Sequence, residues 1–236
     1  MIWTEESARL LERAYRTGSA VQTMLDWIVP RLNPDAHVCD AGCGVGALSR
    51  ALTRHAAHVT AIDKNATAIT MLQSSTDTTE LSHMTILEGD IHAHQPQHPY
   101  DAMVFSFFGS IDTCLELAER QCRGDLFYIS RNYVTHRFSS GELSVTYSGY
   151  REARARLDAL GIPYEWRECG LDIGQPFEDF DEARRFFALY NRGSVMTDEQ
   201  IRTRLTETPQ AEYPLYMPHV RSTGMLYIRK QDREKR

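Results

Sequence analysis

A glycine-rich turn is the feature that most constrains the fold of this chain. The short apolar run His37-Val38-Cys39 ends at Asp40, glycines follow at the alternate positions 42, 44 and 46, and an apolar run begins at Ala47. Glycine allows positive φ angles and lets a ligand approach the backbone closely. The first turn of a helix offers unpaired N–H groups and a partial positive charge. The order therefore predicts a strand, a tight turn and a helix N-terminus, an arrangement typical of nucleotide-type ligand sites.

Strands and helices are predicted to alternate along most of the chain after this turn. Strands are predicted at 58–63, 84–88, 101–105, 126–129, 164–169 and 224–229. In the predicted strand 101–105 the four residues after Asp101 are all apolar, as expected for a strand buried on both faces. Such β-α-β-α alternation predicts a parallel sheet with helices on both faces.

Two segments lie outside this alternation. Helical patterns precede the glycine turn, and the segment 170–220 carries a second helical stripe followed by a proline-rich loop. We predict an N-terminal helical lid over 1–34 and an inserted helical and loop cap over 170–220, above the substrate site. The cofactor-binding domain then comprises 35–169 and 221–230.

Composition narrows the class of protein. The net charge of −6 comes without a dominant basic block, which argues against a nucleic-acid binder. No apolar run reaches the roughly 20 residues of a membrane helix, and the N-terminus lacks a signal-peptide pattern. The five cysteines are scattered without a C-x-x-C pair, as expected for free thiols in a reducing cytoplasm. We predict a cytoplasmic protein with no membrane contact; a homodimer remains open.

The turn leaves two nucleotide-type ligands open. Gly42-x-Gly44-x-x-Ala47 fits the dinucleotide pattern, and Asp63 lies about 20 residues on, where a ribose-binding acid belongs. Two features favour another ligand. The Asp40 carboxylate would crowd a pyrophosphate but can serve a cationic group, and Gly46 gives a third alternate glycine.

Four motifs in register point to a family. They are Asp40-Ala41-Gly42-Cys43-Gly44-Val45-Gly46, Ala61-Ile62-Asp63-Lys64-Asn65, Leu87-Glu88-Gly89-Asp90-Ile91, and Tyr100-Asp101-Ala102-Met103-Val104-Phe105 with Ser106-Phe107 after it. Together they resemble the motifs of the class I S-adenosylmethionine-dependent methyltransferases over residues 33–130.

This resemblance implies a fold, an activity and a set of site residues. The implied fold is a Rossmann-like, doubly wound, mostly parallel seven-stranded sheet of order 3-2-1-4-5-7-6 with the last strand antiparallel. The implied enzyme transfers a methyl group from S-adenosylmethionine and releases S-adenosylhomocysteine. Asp63 would take both ribose hydroxyls and Asp90 the adenine amine. The expected cofactor-binding residues are Asp40, Gly42, Cys43, Gly44, Gly46, Asp63, Lys64, Asp90, Ile91, Ser106 and Phe107.

The methyl acceptor is less constrained by the sequence. Methyl transfer depends mainly on alignment with a cofactor that holds the difficult chemistry, so a catalytic side chain is not required. Tyr133 and His136, with Arg137, are the polar candidates just past the fifth strand. Ser106-Phe107-Phe108-Gly109 stands where amino-methylating members of the family carry Asn/Asp-Pro-Pro-aromatic, which disfavours adenine, cytosine and glutamine amide acceptors.

Three functional hypotheses remain, in this order. The first is methylation of a small-molecule O, N, S or C nucleophile. The second is methylation of RNA or protein, which a basic strip of Arg131, Arg137, Arg151 and Arg154 would favour. The third is a non-catalytic or nicotinamide-binding module. His92, His94 and His98 lie in a polar loop without a completing ligand set, so we predict solvent-exposed histidines and no metal site.

Overall fold

The computed structural model describes residues 3–133, 135–136, 143–144, 149–191 and 193–233, with backbone only at 135–136 and 143–144. Seven strands form the main sheet: β1 (His37–Ala41), β2 (His58–Asp63), β3 (Met84–Glu88), β4 (Tyr100–Ser106), β5 (Cys122–Arg131), β6 (Glu165–Asp172) and β7 (Val220–Ile228). Their spatial order is 3-2-1-4-5-7-6, and β7 alone runs against its neighbours. The predicted fold class is confirmed.

Helices cover both faces of this sheet. They are α1 (Glu5–Thr17), α2 (Ala20–Ile28), α3 (Ala47–Leu52), α4 (Ala66–Ser75), α5 (Thr78–Ser82), α6 (Ile111–Gln121), α7 (Tyr150–Leu160), α8 (Phe180–Tyr190), α9 (Asp198–Arg202) and α10 (Lys230–Arg233). Successive strand residues enter different cores: Val104 packs in the core under α2, whereas Met103 and Phe105 pack in the core under α6 and α7. This explains why the four residues that follow Asp101 in β4 are all apolar. None of the described helices is long and apolar enough to cross a membrane.

Two elements differ from the sequence prediction. The polar stretch 73–82 carries helix α5, because Asp77 Oδ1 accepts the Glu80 amide at 2.8 Å and Glu80 Oε2 accepts the Asp77 amide at 3.2 Å. This reciprocal capping box stabilises a helix too short to show an apolar stripe. Strand β6 continues to Asp172, past the predicted end at 169, because it pairs with β7 along its whole length.

The segment 170–220 contains more strand than predicted. Gln175–Phe177, Thr206–Glu207 and Leu215–Met217 form a small three-stranded sheet beside α8 and α9. Strands this short cannot show a two-residue alternation in the sequence. Leu10 of α1 is fully buried in the same core as Phe177 and Phe187, so α1 completes the hydrophobic core of this segment. A separate two-stranded pair joins Thr135–His136 to Leu143–Ser144.

A buried ion pair fixes α1 to this segment. Arg13 Nη1 donates to Glu182 Oε2 at 2.7 Å, and the side chains are 5% and 1% exposed. Arg9 also reaches Glu182, at 2.8 Å, and Arg13 donates to the Pro176 carbonyl at 3.3 Å. Burial raises the pKa of Glu182, but the Glu178 amide and Arg13 outweigh it and lower the pKa below its ordinary value. Because each charge is compensated by the other, α1 and α8 are held as one body.

Two glycines allow a matched test of packing at the turn. Gly46 has φ +68°, and an added Cβ would lie 2.2 Å from Cδ1 of the fully buried Leu72. Gly161 has φ +66°, but nothing lies within 4 Å of an added Cβ. Gly161→Ala should therefore cost only the left-handed strain, about 1 kcal/mol, whereas Gly46→Ala should cost about 2–4 kcal/mol. Urea unfolding of both variants checks this; equal losses would mean that Leu72 moves aside freely.

Candidate functional site

A cavity of about 400 Å³ opens where the carboxyl ends of β1 to β4 meet. This volume lies in the range of small-molecule sites, and the edge is where open α/β sheets bind ligands. Nearly all of the predicted cofactor-binding residues line it, namely Asp40, Gly42, Cys43, Gly44, Asp63, Lys64, Asp90, Ile91, Ser106 and Phe107. Four motifs far apart in the sequence are therefore brought to one surface by the parallel sheet.

Gly46 is the predicted residue that is placed elsewhere. It caps the start of α3 and faces Leu72, and it is not among the described cavity-lining residues. Gly42 has a packing role as well, because an added Cβ would lie 2.2 Å from the Phe108 ring. The sequence could not separate these roles, since each glycine in the turn has a positive φ and the motif marks them alike.

The turn is held to the end of β2 by its own amides. The Gly42 and Cys43 amides both donate to the Ile62 carbonyl, at 2.8 and 3.1 Å, and the Gly44 amide donates to Asp63 Oδ2 at 2.9 Å. Asp63 Oδ1 accepts the Asn65 amide at 2.9 Å. These amides therefore position the turn instead of facing a ligand. Each carboxylate oxygen of Asp63 keeps further acceptor capacity, so Asp63 can still accept hydroxyl groups.

Asp40 is a buried acid with an unused oxygen. The residue is 1% exposed, Oδ2 accepts the Ser49 hydroxyl at 2.5 Å, and Oδ1 has no hydrogen-bond partner in the described part of the chain. Burial raises the pKa of Asp40 to about 6, the Ser49 hydrogen bond opposes the rise, and the charge of Asp63 adds to it. A buried acceptor without a partner is costly. A cationic group in the cavity would supply that partner, so this wall suits an ammonium or a sulfonium.

Asp90 and Cys43 line the cavity but give less evidence of a binding role than Asp40 does. Asp90 is exposed and its Oδ1 accepts the His92 amide at 2.9 Å, so it shapes the turn after β3 as well as lining the cavity. Burial raises the pKa of the Cys43 thiol, which makes this cysteine unreactive and leaves it as a small wall residue.

Part of the cavity wall was not predicted from the sequence. Trp3, Leu11 and Tyr15 come from the N-terminal segment, Met24 from α2 and Arg221 from β7. The Trp3 ring lies 3.5 Å from the position of a Cβ on Gly44, so it covers the glycine turn. No local motif marks these residues, because tertiary packing alone brings them to the turn.

Of the candidate catalytic residues, Tyr133 is the one whose side chain is described. Tyr133 is half-buried and is absent from the described cavity lining. It is nevertheless close to Tyr15: burial raises the pKa of Tyr15, the charge of Arg221 opposes that rise, and Tyr133 adds a smaller rise. His136 lies in a short strand with its side chain outside the described atoms, and Arg137 lies outside the described residues.

Two side chains of the histidine-rich loop contact aromatic residues. His94 Nε2 lies 2.7 Å from the Tyr100 hydroxyl, and the His92 ring lies near that of Phe108. Within the described parts of the chain, no group of three or more His, Cys, Asp or Glu side chains is arranged to hold a metal ion.

The buried Asp40 carboxyl group should lower the free energy of unfolding at neutral pH. Its folded pKa of about 6 lies above the ordinary value of 3.8, so the folded state holds the proton more tightly and loses stability as pH rises from about 4 through 6. The shift corresponds to roughly 3 kcal/mol. The unfolding free energy of the wild type minus that of Asp40→Asn should fall as pH rises from about 4, with a midpoint at about 5, and should level off above about 6. A difference that does not vary from pH 4.5 to 7.5 in urea titrations would contradict this prediction.

Comparison with known proteins agrees with this geometry. A family model described as a methyltransferase domain matches residues 38–123, which span β1 to the start of β5. No protein among the curated sequences matches the chain significantly.

Solved structures share the fold at low sequence identity. The YcgJ protein from Bacillus subtilis is 13% identical, with 88% of this chain and 97% of that chain covered and a TM-score of 0.52. Precorrin-6y C5,15-methyltransferase from Geobacter metallireducens is 12% identical, covering 88% and 87% with a TM-score of 0.52. Precorrin 8w decarboxylase from Methanobacterium thermoautotrophicum is 16% identical, covering 87% of each chain with a TM-score of 0.51. The chain therefore carries a match to a methyltransferase domain over residues 38–123, within a fold that these solved structures share.

Proposed function

We propose that this methyltransferase acts on a small-molecule nucleophile in the cavity at the carboxyl edge of the sheet. The observation that carries the proposal is the cover over the cavity. Trp3, Leu11 and Tyr15 line it from the N-terminal side and Met24 from α2, so apolar and aromatic side chains border a cavity of about 400 Å³. Such a volume suits a small ligand better than a polymer.

The polar groups that line the cavity fit S-adenosylmethionine. Asp63 would accept the ribose hydroxyls, Asp90 the adenine amine, and the unpartnered Oδ1 of Asp40 a cationic group of the methionine part. Gly42, Cys43, Gly44, Lys64 and Ile91 complete the proposed cofactor contacts, with Ser106 and Phe107 at the reacting side. When bound, the cofactor supplies a methyl group on a sulfonium, which is already a good leaving group.

The contribution of the chain is then alignment and exclusion of water. Alignment of two reactants can supply several kcal/mol of barrier reduction, and a covered cavity keeps water from competing. A base is needed only where the acceptor must lose a proton early. Tyr133 and His136 remain the candidates for that role, and the acceptor atom is an O, N, S or C nucleophile.

We further propose that residues 1–34 act as a lid and that 170–220 hold it in place. The supporting contacts are the burial of Leu10 in the core of that segment and the Arg13–Glu182 ion pair. Residues 35–169 and 221–230 would form the cofactor-binding domain. All five cysteines are free, which supports the prediction of a cytoplasmic location.

Methylation of RNA or protein receives less support. In the basic strip proposed for it, Arg151 Nε donates to Asn132, while the Arg154 guanidinium lies 4.4 Å from the Trp166 ring centre and donates to Tyr164. These two arginines are thus engaged by their own surroundings. Assaying S-adenosylhomocysteine release with small-molecule, RNA and protein acceptors distinguishes the classes; turnover confined to RNA or protein would overturn the proposal.

Substitution of Asp63 tests the cofactor assignment. Ligand at 100 times its Kd stabilises a protein by about 2.7 kcal/mol, which corresponds to a Tm rise of about 5–10 °C for a chain of this size. We expect this rise for the wild type with S-adenosylmethionine or S-adenosylhomocysteine, and its loss in Asp63→Ala.

Glu88→Ala is the matched control, because Glu88 ends the neighbouring strand in register with Asp63 but is exposed and does not line the cavity. This variant should keep the full Tm rise. An unchanged response of Asp63→Ala would refute the ribose assignment, and a rise with NAD alone would refute the methyl-donor assignment.

A further inference from the structure

Arg221 enters the cavity from the one strand that runs against the others. Because β7 is antiparallel, its first residues lie at the same edge as the carboxyl ends of β1 to β5. Arg221 is half-buried, lines the cavity, and places its guanidinium 4.8 Å from the centre of the Phe107 ring. β7 lies three strand spacings from β1 in the main sheet, which corresponds to about 14 Å. Arg221 thus lies on the far side of the cavity from Asp63 and Asp90.

Among the residues that the structure describes, none is an anionic partner of the Arg221 guanidinium. Its Nε is buried without a hydrogen bond, and no described carboxylate forms an ion pair with it. Arg50 also has an unbonded Nε, but it pairs with Glu12 at 3.2 Å and donates to the Ser75 carbonyl at 2.8 Å. A cation that is withdrawn from water without a counter-ion is costly to the folded state.

The groups around Arg221 are neutral and aromatic. Burial raises the pKa values of Tyr15 and Tyr190, and the charge of Arg221 is the strongest influence that opposes the rise. Among the described residues, the one carboxylate that influences the pKa of Tyr15 is Asp40, which raises it and whose Oδ2 is hydrogen-bonded to Ser49. The described neighbours of the guanidinium thus include the phenol of Tyr15, which hydrogen-bonds with Arg221, and the ring of Phe107, and neither carries a charge that would neutralise it.

Phe107 is held in a strained conformation beneath this guanidinium. Its φ of +55° is left-handed, and among the described residues it is the one non-glycine with a positive φ. Such a conformation is unfavourable for a residue with a Cβ and persists where the surroundings impose it, often at functional sites. The Phe107 amide donates to the Ile129 carbonyl at 2.7 Å, which fixes the residue at the rim.

We propose that Arg221 binds a carboxylate of the methyl acceptor, and that the acceptor is a small monoanion with an apolar body. This inference rests on the proposed small-molecule function and adds the chemical class of the substrate. A guanidinium binds a carboxylate through two parallel N–H···O bonds. The apolar body would lie against Phe107, Leu11 and Met24. The other permanently charged cation of the described cavity lining is Lys64, which follows Asp63 on the opposite side of the cavity. Arg221 is therefore the one such cation near the proposed acceptor, and it suits an acceptor with one negative charge.

Binding measurements in saturating S-adenosylhomocysteine test this proposal. The probes are benzoate, phenylacetate and 4-hydroxybenzoate, each compared by calorimetry with its own carboxamide, and phenyl phosphate as a dianion. In the wild type, at least one acid should bind at least tenfold more tightly than its amide. Arg221→Gln should remove that preference and leave the affinity for S-adenosylhomocysteine unchanged. Arg221→Lys keeps the positive charge but cannot form two parallel hydrogen bonds to a carboxylate, so this variant should retain only part of the preference for the acid.

Arg202→Gln is the matched control, because the Arg202 guanidinium lies 3.8 Å from the Phe180 ring centre outside the cavity. It should bind like the wild type. The proposal is overturned by acids that bind no better than amides, by a preference that survives in Arg221→Gln, or by tighter binding of phenyl phosphate. Weaker S-adenosylhomocysteine binding by Arg221→Gln would assign the arginine to the cofactor's own carboxylate instead. If wild type fails to bind S-adenosylhomocysteine, the proposed function itself has failed.

Discussion

The hydrogen bonds between the end of β2 and the glycine turn determine where every other part of the site lies. Three glycines with positive φ would leave the turn free to adopt many conformations. The Ile62 carbonyl and the Asp63 carboxylate remove that freedom, because together they accept the amides of Gly42, Cys43 and Gly44. Asp63 is consequently both a structural and a proposed binding residue, and the strand register of β1 against β2 places it beside the turn.

Two charges in the cavity are only partly compensated by the protein. Among the described residues, Asp40 keeps one oxygen without a hydrogen-bond partner, and Arg221 forms no ion pair with a carboxylate. Both arrangements oppose stability in the free enzyme, and natural sites tolerate such costs where a ligand supplies the missing partner. Their placement at different parts of the wall agrees with two ligands of opposite local charge, a cationic donor and an anionic acceptor.

Sequence motifs predicted the part of the site that strands and turns build locally. Asp40, Asp63 and Asp90 each follow a recognisable strand, and a parallel sheet brings strand ends together whatever the intervening sequence. The full strand order came from the family resemblance, since alternation alone predicts a parallel sheet without its sequence of neighbours.

The rest depends on contacts between residues far apart in the chain. Leu10 packs with Phe177, Arg13 pairs with Glu182, and Arg221 reaches Phe107, and none of these pairs leaves a local pattern. The packing role of Gly46 was missed for the same reason, because Leu72 belongs to the next helix.

The position of α1 has a kinetic consequence. Trp3, just before the helix, lies against the turn that would hold the donor, while Tyr15, near its end, lies beside Arg221. One rigid element thus borders both halves of the cavity, and Gly18 after it packs closely on the Asp172 carbonyl. If α1 is the lid, the methyl donor and the acceptor enter through the same opening. Each turnover would then require the lid to open once and release S-adenosylhomocysteine and the methylated product together. The order of substrate binding would be set by which ligand allows the lid to close.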